Sequence, residues 1–292
     1  MSADPAVVNA LREGRAYADL SHWRKILVRG GDAAGWLNDL LTADLTTLGR
    51  GRSQRTLLLT PTGRVRADVH ATAFDDGFLL LQDPGQPEPI DRLLDRYVLS
   101  SDVVLEDRTA TLALLAFPRR EPPHVNGGIA LRPSVFGDGA DLLADAGRVG
   151  EVRAGAETLS LLEAGPEALE AWRIRAGIAR FPIDVSTDSL PHEVPLGDAI
   201  AYDKGCYLGQ EAVAKVRNLG HPPFVLLAGQ VEGTAAPGDD VLMDGTVAGV
   251  ITSAAGENGT SAVILRVRWA ARAGQLTVAD GSPVRLRRSA TT

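Results

Sequence analysis

The chain has 292 residues, of which 45% are hydrophobic and 23% charged, and a formal net charge of -7. That balance excludes a disordered or fibrous protein, argues against broad electrostatic binding to duplex nucleic acid and, at about 150 residues per domain, predicts two or three packed units. The one cysteine, Cys206, cannot form an intrachain disulfide, which fits a reducing compartment, and cannot hold an iron–sulfur cluster by itself, since such clusters take about four ligands.

In chain order, the opening residues are polar, with Asp4, Arg12, Glu13 and Arg15, and no apolar run approaches the ~18 residues of a membrane span. The expectation is a cytoplasmic protein with no membrane partner. Lys25 to Val28 reads as a strand, after which Gly31-Asp32 opens a helix with Asp32 as N-cap and Trp36, Leu37, Leu40 and Leu41 as its apolar stripe. Arg55 to Thr60, Val65 to Phe74 and Phe78 to Leu81, joined by Pro61-Thr62-Gly63 and Asp75-Asp76-Gly77, predict an antiparallel meander. A helix over Ile90 to Val98 and strands over Asp102 to Glu106 and Thr111 to Phe117 follow. The loop from Pro118 to Gly128 reads as a subdomain boundary or a long surface connection. A strand over Ile129 to Phe136 and a helix from Pro166, stopped by Gly177, come next. Beyond Pro222-Pro223 short extended runs separated by Gly, Pro, Asp and Asn predict a small closed or partly closed β-unit of about 70 residues.

Lys204-Gly205-Cys206-Tyr207-Leu208-Gly209-Gln210-Glu211 reads as a loop running into a helix N-terminus. A neighbouring ammonium and a helix N-terminus both favour thiolate, although a free cysteine is more often simply small and buried. Arg50, Arg52, Arg55, Arg64 and Arg66 form a run without an acid, with Arg64 and Arg66 on one face of a hairpin: an anion site or a solvated surface. Glu193, and Asp138 and Asp141 in a Gly-punctuated segment, are carboxylates that could accept paired hydrogen bonds from a pterin- or purine-like edge, or could be turn residues. The five histidines are scattered without metal spacing, and there is no Walker loop, GxGxxG or G-x-S-x-G. Nothing local supports a papain-like pairing of Cys206 with one of the histidines.

Taken together, these segments resemble a known family. The octet around Cys206 resembles the K-G-C-Y-x-G-Q-E signature of the YgfZ-type folate-binding proteins, relatives of the glycine-cleavage T-protein (aminomethyltransferase). Asp19-Leu20-Ser21-His22, Gly63 to Asp68, Asp91 to Thr109 and Arg173-Ile174-Arg175-Ala176-Gly177 resemble further T-protein segments, and the last ~70 residues its C-terminal barrel. The resemblance implies an α+β, T-protein-like multi-subdomain fold around a central folate channel. It divides into a folate-binding aminomethyltransferase-like domain over 1–222 and a small β-barrel over 223–292.

The implied cofactor is tetrahydrofolate or a one-carbon derivative. Asp141 falls where the T-protein reads the pterin edge, with Glu193, Tyr207 and Gln210 as further binding residues, and Arg64 and Arg66 suit the glutamate tail electrostatically. Cys206, Lys204 and Asp68 are the candidate catalytic residues. This chain has Ala67 before Asp68 where the T-protein has consecutive aspartates, and Arg175 where it has a glutamate, while the T-protein lacks the cysteine motif. Those departures imply the YgfZ-type role: a folate-dependent accessory to iron–sulfur enzymes, with iron–sulfur client or assembly proteins as partners and an indirect effect on tRNA modification. The alternative is a folate-dependent one-carbon (aminomethyl or methyl) transferase with Asp68 as acid/base residue. A third reading has the Arg50 to Arg66 patch contacting tRNA.

Overall fold

The computed structural model describes residues 3–194 and 197–287, without the side chains of Asp198 and Glu257. The outer ends of the two predicted domains, 1–2 and 288–292, lie outside the described residues. In chain order the elements are α1 (Pro5–Arg12), β1 (Ala16–Asp19), β2 (Arg24–Arg29), α2 (Ala33–Leu40), β3 (Ser53–Leu59), β4 (Val65–Phe74), β5 (Gly77–Gln82), α3 (Ile90–Asp95), β6 (Val104–Asp107) and β7 (Leu112–Pro118). They continue with β8 (Ile129–Leu131), β9 (Gly139–Asp145), α4 (Val149–Thr158), β10 (Leu162–Glu163), α5 (Pro166–Ala176) and α6 (Gln210–Leu219). The strands β11 (Phe224–Glu232), β12 (Asp240–Met243), β13 (Thr246–Glu257), β14 (Thr260–Arg268), β15 (Leu276–Val278) and β16 (Pro283–Leu286) complete the chain.

Three β-layers result. One five-stranded sheet runs β3-β4-β5-β2-β6, a second runs β10-β1-β7-β9-β8, and β11-β14-β13-β12-β15-β16 close into a barrel. The expected meander is present as β3, β4 and β5, each antiparallel to the next. In β4 the period of two holds from Val65 to Ala71: Val65, Ala67, Val69 and Ala71 are fully buried, which sends Arg66, Asp68 and His70 to the other face. A shared core joins the halves of the chain, since Leu226, Ala255, Ala262 and Ile264 of the barrel pack with Val8, Leu11 and Trp172.

Several expectations need correction. Asp32 precedes α2 but does not cap it: its carboxylate accepts from the Asp102 amide (2.8 Å), while the Asp102 carboxylate accepts from Gly31 (2.9 Å), so the pair staples α2 to the segment before β6. The strand predicted to reach Phe136 stops at Leu131, because Pro133 has no N–H to offer a ladder and Ser134 to Gly137 turn back on themselves. The loop over 118–128 joins β7 to β8, two strands of one sheet with β9 between them. Helices α1 and α4 and strands β1, β9 and β16 carried no signal strong enough to be read from the sequence.

Candidate functional site

A cavity of about 560 Å³ opens where β1, β4 and α5 meet. The alternation of β4 delivers Asp68 and His70 to it, and Arg55, paired with His70 across β3 and β4, reaches the Asp68 carboxylate with both Nε (3.0 Å) and Nη2 (2.5 Å). The backbone at Asp68 is clasped by Gln86, whose amide accepts from Asp68 N (3.0 Å) and donates to Asp68 O (2.6 Å). That side chain therefore stands in for a neighbouring strand. Burial, together with the Arg55 charge, pushes His70 down to about 4, so at neutral pH it is an uncharged wall of the cavity.

The helical wall follows an i, i+3, i+4 rule: Pro166, Leu169, Glu170 and Arg173 of α5 face the cavity. Arg173, 3% exposed, donates to Glu170, Asp184, Ile178 O and, at 2.8 Å, Ser253 Oγ, tying α5 to the barrel. Asp184, also buried, accepts in addition from Thr252 Oγ1 (2.6 Å), Ser253 Oγ (2.7 Å) and Arg180 N (3.0 Å). Arg180 pairs with Asp83 (2.6 Å). The aromatic part of the wall is Trp23, Phe136 and Phe181, with Phe136 edge-on to Trp23 (6.3 Å) and to Trp172 (5.5 Å).

Lys25 fixes the turn that presents His22 and Trp23. It is fully buried and donates from Nζ to Ser21 O (2.8 Å) and Trp23 O (2.7 Å), and desolvation lowers it to about 8. A lysine in a short apolar strand was the available sequence signal for it.

Of the nine candidate residues that the family resemblance implies, Asp68 lines this cavity, as does Arg55 of the arginine run. Asp141 lies behind its wall, accepting from Ser134 Oγ (2.6 Å) and Val135 N (2.8 Å), and burial raises it to about 7. Glu193 is buried and bridges to the barrel through Arg266 (2.8 Å). Arg64 donates to Asp188 O and Arg66 pairs with Glu88, both on the hairpin away from the cavity lining. Arg50 pairs with Asp75, so of the run read as an anion site or a solvated surface, Arg50, Arg55 and Arg66 are matched by acids.

The octet also divides. Lys204 Nζ donates to Asn38 O (2.6 Å), Leu41 O (2.5 Å) and Ala43 O (2.8 Å), so its charge serves the carbonyls at the C-terminal end of α2. The reading that assigned that charge to the thiol is corrected. Desolvation lowers Lys204 to about 8, and its ammonium lies 4.9 Å from the ring centre of buried Tyr207. Gly209 has φ +83°, and a Cβ there would stand 2.6 Å from Thr60 O, which is why α6 docks so closely on the β3–β4 turn. Gln210 begins α6 outside the cavity lining, and Cys206 is exposed on the loop before it.

With this geometry in place, comparison with known proteins is informative. Residues 5–118 match the family model for the GCVT N-terminal domain. The glycine cleavage system aminomethyltransferase T from Bartonella henselae superposes over 99% of this chain and 90% of its own, with a TM-score of 0.82 at 18% identity. The fold is that of a glycine-cleavage T-protein. The T-protein-like chain is 28% identical over 279 residues to the aminomethyltransferase of Geobacillus thermodenitrificans, covering 84% of this chain and 76% of that one. It is 27% identical over 285 residues to a chloroplastic candidate transferase of Arabidopsis thaliana, covering 88% of this chain and 66% of the relative's length. Among the described residues, no helix is long and apolar enough to cross a membrane.

Proposed function

We propose that the chain binds tetrahydrofolate or a one-carbon derivative in the central cavity and serves as an accessory protein for iron–sulfur enzymes, with Cys206 acting on a cluster or one-carbon unit carried by a partner. The observation that carries this reading is the separation of the two chemistries. Asp68 stands in a folate-sized cavity with both carboxylate oxygens on Arg55, while the thiol is exposed outside the cavity lining.

The cavity's residues fit a reduced folate. Its volume falls within the ~300–1,000 Å³ of small-molecule sites, Trp23 and Phe136 offer faces to a planar ring, and Asp83 and Glu170 can accept from a pterin N–H and amino group. Arg180, half exposed, would meet a ligand carboxylate. When bound, the folate supplies the one-carbon carrier. Arg64 and Arg66 are not needed for its tail.

The alternative, a one-carbon transferase with Asp68 as acid/base residue, is less favoured because the ion pair holds that carboxylate away from a proton-transfer role. Tetrahydrofolate titration by calorimetry should show saturable binding that weakens at least tenfold in Phe136→Ala and is unchanged in Cys206→Ser. In a deletion strain Cys206→Ser should fail to restore iron–sulfur enzyme activities. No binding by the wild type, or full rescue by Cys206→Ser, overturns the reading, and Asp68-dependent formation of methylene-tetrahydrofolate selects the transferase.

A further inference from the structure

A second cavity, of about 400 Å³, lies across α5 from the first. Where Leu169, Glu170 and Arg173 face the central cavity, Trp172, Arg175 and Ala176 face this one, which follows from the ~100° turn per helical residue. Its floor is apolar, with Val8, Trp172, Ala255 and Ala262 all buried. Its walls carry four arginines: Arg12 from the last turn of α1, Arg119 directly after β7, Arg175 from α5 and Arg287 directly after β16.

No aspartate or glutamate appears among the described lining residues, in a protein whose formal net charge is -7. Several arginines elsewhere are matched by acids: Arg50 with Asp75, Arg55 with Asp68, Arg66 with Glu88, Arg173 with Glu170 and Asp184. Among the described residues Arg119 and Arg287 form no ion pair, while Arg12 lies near the exposed carboxylate of Glu13. Desolvation and the nearby Arg175 charge both push Arg287 below its ordinary range. Arg119 is held at φ +63°, a left-handed conformation that a residue with a β-carbon rarely adopts. Its amide bonds to Asp138 O (2.6 Å), and Gly14 leaves room for its carbonyl. Like charges gathered on a strained backbone over an apolar floor are unfavourable in isolation, and an anion offsets that cost.

We propose that this pocket binds a small organic anion carrying two or more phosphate or carboxylate groups, with the guanidinium forks of Arg12, Arg119 and Arg287 pairing with its oxygens and its carbon body resting on Trp172. Guanidinium recognises both oxyanions bidentately, and an apolar floor selects against a bare inorganic ion. The site shares no lining residue with the central cavity, so it stands or falls independently of folate binding.

Calorimetric titration of the full-length protein with pyrophosphate, ADP and triglutamate, without divalent metal, tests it. ADP or triglutamate should bind more tightly than pyrophosphate, with affinity falling as salt rises. Arg119→Gln/Arg287→Gln should weaken binding at least tenfold at an unchanged melting profile, and Arg50→Gln should leave it unaltered. Preference for ADP or for triglutamate tells phosphate from carboxylate recognition. Absence of binding by all three at millimolar concentration, equal binding by the double variant, or binding only to a single-stranded RNA of similar charge overturns the proposal.

Discussion

On the cavity side of α5, Arg173 is sealed from water with Glu170 and Asp184 against its guanidinium. On the far side, Arg12, Arg119 and Arg287 gather in a pocket whose described lining holds no acid. The two sides of one helix thus border arginines that are handled in opposite ways. Inside, a buried charge persists because its partner and its remaining hydrogen bonds are present. Outside, partial exposure tolerates unmatched charge, and the mismatch is what makes the outer pocket receptive to an anion. The contrast separates residues that hold the fold from residues free to act on something else.

The largest test of that contrast is Asp184→Ala. It removes the acceptor shared by Arg173, Thr252, Ser253 and the Arg180 amide, and leaves a buried guanidinium short of a partner. Breaking one side of a buried pair costs roughly 3–5 kcal/mol, which urea unfolding would register as a large fall in midpoint. A loss under about 1 kcal/mol would mean that Glu170 alone satisfies Arg173, and the two walls would be less different than their contacts suggest.

A smaller effect, set by pH, belongs to Asp141 behind the inner wall. Its folded pKa is raised to about 7 by burial, against an ordinary 3.8. The folded state therefore holds a proton that the unfolded chain has released. The stabilisation is complete below about pH 4 and is lost as pH rises toward 7, by up to about 1.4 kcal/mol per unit. His70 slopes the other way between about 4 and 6.5, because its neutral form is the folded one. The difference between wild type and Asp141→Asn isolates the aspartate: the variant should lose the downward slope, read from chemical unfolding at several pH values. An identical pH profile would show that Asp141 stays ionised beneath Ser134 and Val135.

How much of this could be read from the sequence depended on how far apart the partners lie. The period of β4 and the turns around it are local, so the meander and the position of Asp68 were legible. The C-terminal barrel was legible from its turn chemistry, and the T-protein fold from several segments together. The octet was legible as a motif, but the division of labour within it was not. Lys204 bonds to residues more than 160 positions earlier, and no local pattern shows that its charge closes a helix end instead of facing the thiol. The arginine run from Arg50 to Arg66 stayed open between an anion site and a solvated surface for the same reason, because Asp75 and Glu88 meet it only in the folded chain. Conversely, Arg12, Arg119, Arg175 and Arg287 are scattered over the whole chain and meet only because α1 and the barrel pack on α5.

That scattering makes the smallest expected change the sharpest check of the comparison. Arg119→Gln/Arg287→Gln removes two charges from the outer pocket without leaving any described carboxylate unpaired, so unfolding should shift by no more than about 0.5 kcal/mol, in the stabilising direction. Addition of a bound multivalent anion should reverse the order of the two proteins, because ligand binding stabilises the wild type by RT ln(1 + [L]/Kd) and gives the variant little. A double variant that is instead destabilised without ligand would mean these arginines hold α1 and the barrel together, as Arg173 does on the inner face. Helix α5 would then carry structural charge on both sides.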